Sequence, residues 1–297
     1  MPELPDIVAY VEALETRVAG QTLERVRIVS PFVLRSFEPP IDAAVGRSVR
    51  SVERLGKRTV LGLDDDLFLV FHLMIAGRFR WERNGAKPPR KIGLASFDFA
   101  TGTLLLTEAS QKKRASLHLV RGRDALREHD AGGMDVLRAD FAAFAAALSA
   151  ENHTVKRSLT DPRLFSGIGN AYSDEILHAA RLSPVKLTSR LTPDAVQRLH
   201  AATRDTLQYW IDELRRQFAG RFPAAGQITA FRSGFAVHGR YGKPCPECGT
   251  KVQRIRYADN ETNYCPRCQT GGRILADRSL SRLLKDDWPR SIDQLDA

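Results

Sequence analysis

The sequence predicts an α+β chain of several units: a helix with an antiparallel β sandwich or barrel, then a helical middle, then a hairpin pinned by a metal ion. Three observations predict it. Apolar residues recur at helical spacing just after the amino terminus and again from Thr192. Short runs of β-formers separated by turns fill the stretch from about Thr22 to Val120. All four cysteines fall into two Cys-x2-Cys pairs near the carboxy terminus. At 297 residues the chain is long enough for two or three units, each burying its own core.

The first helix follows from Pro5, which suits an opening helical turn, and from Ile7, Val11, Leu14 and Val18 on one face, with Gly20 as the stop. The β region follows from runs such as Thr59 to Leu63 and Leu67 to Phe71, divided by Asp64-Asp65-Asp66. Glu128 to Gly133 is polar and glycine-bearing, which marks a hinge. Beyond it Thr192-Pro193-Asp194 starts a long helix whose stripe of Val196, Leu199, Thr203, Leu207, Trp210 and Leu214 points to a core. The expected division is residues 1–128, a hinge at 129–136, a helical unit at 137–238, a metal hairpin at 239–271 and a helical extension at 272–297. Within that extension Ile274, Leu275, Leu280, Leu283 and Leu284 suggest one more helix.

Charge narrows the partner. Forty-five Lys and Arg against 35 Asp and Glu leave a net charge of +10, which favours a polyanion. No segment reaches the roughly 20 apolar residues that span a bilayer, and the amino terminus has no signal-peptide character, so a cytoplasmic protein is expected. From Arg221 to Arg256 the bases are Arg221, Arg232, Arg240, Lys243, Lys251, Arg254 and Arg256, with Glu247 the sole acid. A charge run is usually a solvated face; here it surrounds a metal hairpin, which favours phosphate contact. Tyr241, Tyr257 and Tyr264 either fill the small core of that hairpin, the preferred reading, or stack on bases.

The cysteines run Cys245-x2-Cys248-x16-Cys265-x2-Cys268. Two such knuckles supply four thiolates in a tetrahedron, which suits one structural Zn2+ with no open coordination position. Pro246, Gly249 and Pro266 supply the turns, and disulfides are the weaker alternative. Upstream, Gly167-Ile168-Gly169-Asn170 precedes a new helical pattern, with Lys156, Arg157 and Arg163 before it. Glycines there allow close approach and the helix start offers free N–H groups to a phosphate; a tight structural turn would use the same residues.

Four separated motifs, Met1-Pro2-Glu3-Leu4-Pro5, Lys57, Gly167 to Asn170 and the two knuckles, together resemble the formamidopyrimidine-DNA glycosylase and endonuclease VIII family from residue 2 to about residue 269. The resemblance implies an amino-terminal helix with a β sandwich, a helix-two-turn-helix domain and a zinc finger, with damaged duplex DNA held between the halves. It implies a base-excision-repair glycosylase with abasic-site lyase activity, acting on oxidised or ring-opened bases as a monomer at the nucleoid. The alternative is a damage-binding protein that kept the fold and lost most catalysis.

The chemistry can be argued from the residues as well. Removal of Met1 makes Pro2 a secondary amine, and the positive end of a helix lowers an α-amine below its ordinary pKa of about 7.7 to 8.0. Attack on the sugar C1′ then leaves an iminium with no N–H proton to lose, an electron sink for β-elimination, with δ-elimination a possible sequel. Glu3 is the natural acid for the ring oxygen, and Asp6 positions it or receives a proton. By resemblance Lys57, at a hairpin tip, contacts the phosphate beside the lesion. In His72-Leu73-Met74 the methionine fills the gap left by an extruded nucleotide, although plain core is a competing reading of Met74. The DNA-binding set is completed by His72, Lys156, Asn170, Arg254, Arg256 and Asn260.

This sequence departs from the family at several points. Asp6 replaces a glutamate. Asn260 replaces the hairpin arginine, for which Arg254 or Arg256 is the stand-in. The stretch Glu108 to Arg114 lacks the Arg and Phe that read the opposite base, and the segment between Phe218 and Gly239 is short for a loop that closes over a purine.

Overall fold

The computed structural model describes residues 1–224, 226–257, 260–285 and 288–294, without the side chains of 278–280. The expected features at Leu280, at 286–287 and at 295–297 therefore lie outside the described residues. The chain forms two compact units. One holds Met1–Ala131 and Trp210–Ala230; the other holds Gly132–Tyr209 and Phe231–Ala297. The division thus differs from the linear order expected from sequence. Its reason is packing: Leu214, Phe218 and Ile228 are buried in the same apolar cluster as Ile7, Tyr10 and Leu14.

In the first unit, α1 (Leu4–Val18) begins with Pro5 in its first turn and ends before Gly20. Eight strands follow: β1 (Arg25–Ile28), β2 (Val49–Leu55), β3 (Arg58–Leu63), β4 (Leu67–His72), β5 (Gly77–Glu82), β6 (Gly93–Phe99), β7 (Gly102–Glu108) and β8 (Ser116–Arg121). They make two antiparallel four-stranded sheets, in the orders β1-β6-β7-β5 and β2-β3-β4-β8. Phe71 of the second sheet meets Phe79 and Phe97 of the first edge-on, at 5.2 and 5.1 Å between centroids, so the two sheets share one core. Fully burying side chains of this size stabilises the fold by about 1.5 to 3 kcal/mol each. The short helix α2 (Arg123–Arg127) sets Leu126 against Val60, Phe68 and Val70 on the other face of β3 and β4.

The second unit contains α3 (Phe141–Ser149), α4 (Val155–Thr160), α5 (Asn170–Ala179) and the start of α6 (Pro193–Phe218), which continues into the first unit from Trp210. Asp140 caps α3 by accepting the Ala143 N–H at 2.8 Å. On α6 the stripe from Leu199 through Thr203, Leu207 and Trp210 to Leu214 is buried, as its spacing predicts, whereas Val196 is half-buried and Ala195 takes the buried place at the helix start. The hairpin β9 (Gln253–Tyr257) and β10 (Asn260–Tyr264) lies between the two knuckles, and α7 (Pro266–Thr270) and α8 (Arg278–Leu284) follow. Among the described residues no helix is long and apolar enough to cross a membrane.

Candidate active site and metal centre

The amino terminus, Glu3, Asp6 and Lys57 come together in the first unit. Glu3 precedes the first residue of α1 in extended conformation, and Asp6 Oδ2 accepts the Glu3 backbone N–H at 2.9 Å. Both carboxylates are buried, at 3% and 1% exposure. Lys57 is carried by a two-residue hairpin loop: Leu55 pairs with Arg58, and Gly56 takes the left-handed conformation (φ 60°) that the turn requires. Burial holds the Lys57 ammonium below the usual lysine range, and the nearby Glu3 charge opposes the shift. Burial likewise lowers the amine of Met1, against the pull of Glu3 and with help from Arg78 and Lys57. An amino terminus, a depressed lysine amine and two buried carboxylates are groups that imine chemistry can use.

Arg78 is the member of this cluster that sequence reasoning missed. Its Nε donates to the Ile228 carbonyl at 2.8 Å, and its Nη1 donates to the carbonyls of Ile75 and Gly77 at 3.1 and 2.6 Å. It therefore ties the turn between β4 and β5 to the segment after α6 while adding positive charge beside the amine. The only signal in the sequence was a charged residue alternating with Gly77 and Phe79 in a strand, which many solvated strands share.

Met74 lies in that same turn and not in the core, so the core reading is corrected. It is half-buried and left-handed (φ 51°), beside the 59% exposed Ile75. The turn is tight because the Gly77 N–H donates to the Leu73 carbonyl at 2.8 Å, and a Cβ on Gly77 would come within 2.2 Å of that oxygen. His72 ends β4, paired with Arg58 across the ladder. Burial first, then Arg58, Lys57 and His118, depress its pKa to about 4, so its ring is neutral at pH 7. Glu108, also buried, accepts the N–H groups of Arg114 and Ala115 at 2.8 and 3.0 Å, so the stretch after β7 closes on itself.

In the second unit the Gly167 to Asn170 entry opens α5 as predicted, with Gly169 before its first residue. The Lys156 ammonium, expected to face phosphate, instead pairs with the fully buried Asp174 carboxylate and donates to the Asn170 carbonyl at 3.2 Å. Arg163 pairs with Asp161 at 2.6 Å. Asn170 Nδ2 donates to the Glu261 carbonyl of β10 at 2.9 Å. Asp174 also accepts from His238 Nδ1 and from the Asn263 N–H, at 2.8 and 3.0 Å, and Glu175 accepts three successive N–H groups from Ala236, Val237 and His238. Helix α5 thus anchors both the approach to the first knuckle and the hairpin. Neither role was visible in sequence, because the partners lie far along the chain and most of them are backbone atoms.

The four cysteine sulfurs lie within 4.8 Å of one another and none is in a disulfide. Cys248 is 3.4 Å from Cys265, and Cys245 is 4.0 Å from Cys268. Tetrahedral Zn–S bonds of about 2.3 Å would put sulfurs about 3.8 Å apart, so the donor set fits one Zn2+. His178 Nε2 lies 3.2 Å from Cys245 Sγ, where an N–H can steady a thiolate ligand. Of the three tyrosines, Tyr264 is buried with Ile255 and Leu275, whereas Tyr241 and Tyr257 are 50% and 44% exposed, which corrects the core reading for those two. Arg254 pairs with Glu261 at 3.3 Å and lies over the Tyr241 ring at 4.2 Å. Arg256 and Asn260, on either side of the hairpin turn, are exposed.

The formamidopyrimidine-DNA glycosylase N-terminal domain matches residues 1–119, its H2TH domain matches residues 133–217, and the zinc finger found in FPG and IleRS matches residues 242–271. The chain belongs to the formamidopyrimidine-DNA glycosylase family. Its similarity to the formamidopyrimidine-DNA glycosylase of Heliobacterium modesticaldum is 32% identity over 276 residues, 91% of this chain and 100% of the relative. A formamidopyrimidine-DNA glycosylase-like protein of Mycobacterium tuberculosis is 42% identical over 158 residues, 52% of this chain and 94% of that protein. Lactococcus lactis Fpg in complex with abasic-site DNA superposes with a TM-score of 0.79 at 26% identity, covering 90% of this chain and 99% of that one. Membership of the formamidopyrimidine-DNA glycosylase family makes this a DNA glycosylase of base-excision repair, with lyase activity part of the family's known function and a zinc finger among its domains.

Proposed function

We propose that the chain removes oxidised or ring-opened bases from duplex DNA and cuts at the resulting abasic site, with the Pro2 nitrogen as nucleophile. The observation that carries this reading is the gathering of the chain's amino terminus with the buried carboxylates of Glu3 and Asp6 and the depressed Lys57 amine at one place. With Met1 attached the Pro2 nitrogen is an amide and inert; removal of Met1 arms it. The amine attacks C1′ and the damaged base leaves with the bonding pair of the glycosidic bond, carrying off the amine proton; Glu3 then protonates the ring oxygen as the C1′–O4′ bond breaks, which opens the sugar and leaves the iminium. The Glu3 carboxylate, now ionised, takes the C2′ proton, the electrons of that C–H bond flow toward the iminium, the C3′–O bond breaks, and the 3′ phosphate departs. Water hydrolyses the remaining imine and frees the amine.

Asp6 fixes Glu3 through its backbone N–H. Lys57, by its charge, and the neutral ring of His72, by an N–H donor, hold the DNA backbone beside the lesion, and Met74, displayed on a tight turn, fills the vacated stack. In the second unit Asn170, set by Lys156, and the cationic hairpin hold the strand. In functional terms residues 1–128 carry the chemistry, 129–136 the hinge, 137–238 and 239–271 the DNA grip, and 272–297 an extension. The protein acts as a monomer in the cytoplasm, at the nucleoid.

A direct test compares protein with Met1 removed and protein retaining one extra amino-terminal residue, on duplexes with an oxidised base or an abasic site. Base release and strand cleavage by the processed form alone support the reading. Equal activity in both forms, or none in either, overturns it in favour of another nucleophile or of a DNA-binding protein.

A further inference from the structure

The family matches end at residue 271, and the Heliobacterium relative, covered over its whole length, accounts for 91% of this chain, so the carboxy-terminal extension lies beyond the matched domains. It folds back as a strap. The Ile274 N–H donates to the Arg290 carbonyl at 2.9 Å, the Ile292 N–H donates to the Gly272 carbonyl at 2.9 Å, and Arg273 bridges to Ser291. The strap then enters the zinc hairpin. Leu275 packs with Ile255 and Tyr264, and its N–H donates to the Tyr264 hydroxyl at 2.7 Å. Asp277, 1% exposed, accepts the backbone N–H of Arg256 through Oδ2 at 2.7 Å.

That contact lies one pair away from Asn260, which pairs with Tyr257, whereas Arg256 pairs with Glu261 on the other face of the hairpin. Asn260 stands in the place of the family arginine, and the two nearby bases are not equivalent. Arg254 is engaged by Glu261 and by the face of Tyr241. Arg256 is exposed, and among the described residues its side chain has no ion pair or hydrogen bond, although Glu261 stands opposite it in the ladder. We infer that Arg256 is the phosphate-gripping cation of the hairpin and that Asp277 of the extension is its positioning residue. A carboxylate that accepts the edge N–H of β9 fixes the backbone from which the guanidinium projects, and desolvation makes that bond a firm one. The partner is a phosphate diester of duplex DNA. The inference rests on the DNA-binding reading of the hairpin and is independent of which amine attacks the sugar.

The test is fluorescence anisotropy of a duplex carrying a non-cleavable tetrahydrofuran abasic analogue, titrated with full-length zinc-loaded protein over a series of salt concentrations. Arg256→Ala is expected to weaken binding and to lower the slope of log K against log salt by about one phosphate, roughly 0.9. Asp277→Ala is expected to do much the same with one zinc retained, and the double variant to be no weaker than either single variant. Asp277→Asn, which keeps an acceptor, restores most of the affinity. An unchanged slope for Arg256→Ala overturns the inference, and because that side chain is exposed, misfolding cannot imitate the result. Additive losses in the double variant overturn the positioning role of Asp277. Imine trapping that persists while these binding effects are absent removes this inference alone and leaves the proposed chemistry standing.

Discussion

The Asp6 carboxylate accepts the backbone N–H of Glu3 at 2.9 Å, inside a site where both side chains are buried. The shorter acid at position 6 therefore still reaches the residue that matters. Glu3→Gln removes the proton donor and is expected to slow base excision about 10²- to 10⁴-fold while slowing cleavage of a preformed abasic site much less. Asp6→Ala, which frees the Glu3 backbone, is expected to lose activity in kcat more than in KM; Asp6→Glu retains most of it. Steady-state kinetics on both substrates check the order.

Stability should fall on mild acidification. Burial depresses both His72 and His118 to about 4 from an ordinary 6.5. In the unfolded chain they bind protons first, so their contribution is complete above pH 6.5 and is lost progressively as pH falls towards 4. Urea unfolding at pH 7, 5.5 and 4.5 is expected to show this decline, with a shallower one in His118→Gln.

Glu175 holds three backbone N–H groups ahead of the first knuckle, and burial raises its pKa despite those donors. Glu175→Ala strands the donors in a dry setting and is expected to cost about 3 kcal/mol or more. Glu175→Gln is expected to cost less. Thermal denaturation of the two variants gives the comparison, and near-equal losses would contradict the assigned role.

Removing zinc, by a chelator or by Cys248→Ser, is expected to abolish tight DNA binding while leaving the β sandwich folded, since the hairpin and the sandwich belong to different compact units. Metal content, near-ultraviolet circular dichroism and anisotropy are measured on the same sample.

Local rules made much of this legible. The helix from Pro5, the strands at Thr59 and Leu67, the helix from Pro193 and the cysteine cluster all depend on spacing within a few residues, which a sequence displays. Arg78, Glu175 and Asp277 were opaque because the partners that place them are carbonyl or N–H groups, which carry no residue identity, and Asp174 because its partners Lys156, His238 and Asn263 lie far along the chain. Lys156 was misjudged for a related reason: nothing local showed that Asp174 would stand beside it. The return of Trp210–Ala230 to the first unit was likewise set by distant packing.

The central claim concerns which nitrogen attacks. Two amines stand at the site once Met1 is removed, Pro2 and Lys57, and burial depresses that of Lys57. Borohydride reduction of the protein during turnover of an abasic duplex, followed by peptide mapping of the trapped adduct, separates them. A sugar remnant on Pro2 of the Met1-processed chain, and none on Lys57, is the expected result. An adduct on Lys57, or no adduct from fully processed protein, would contradict it.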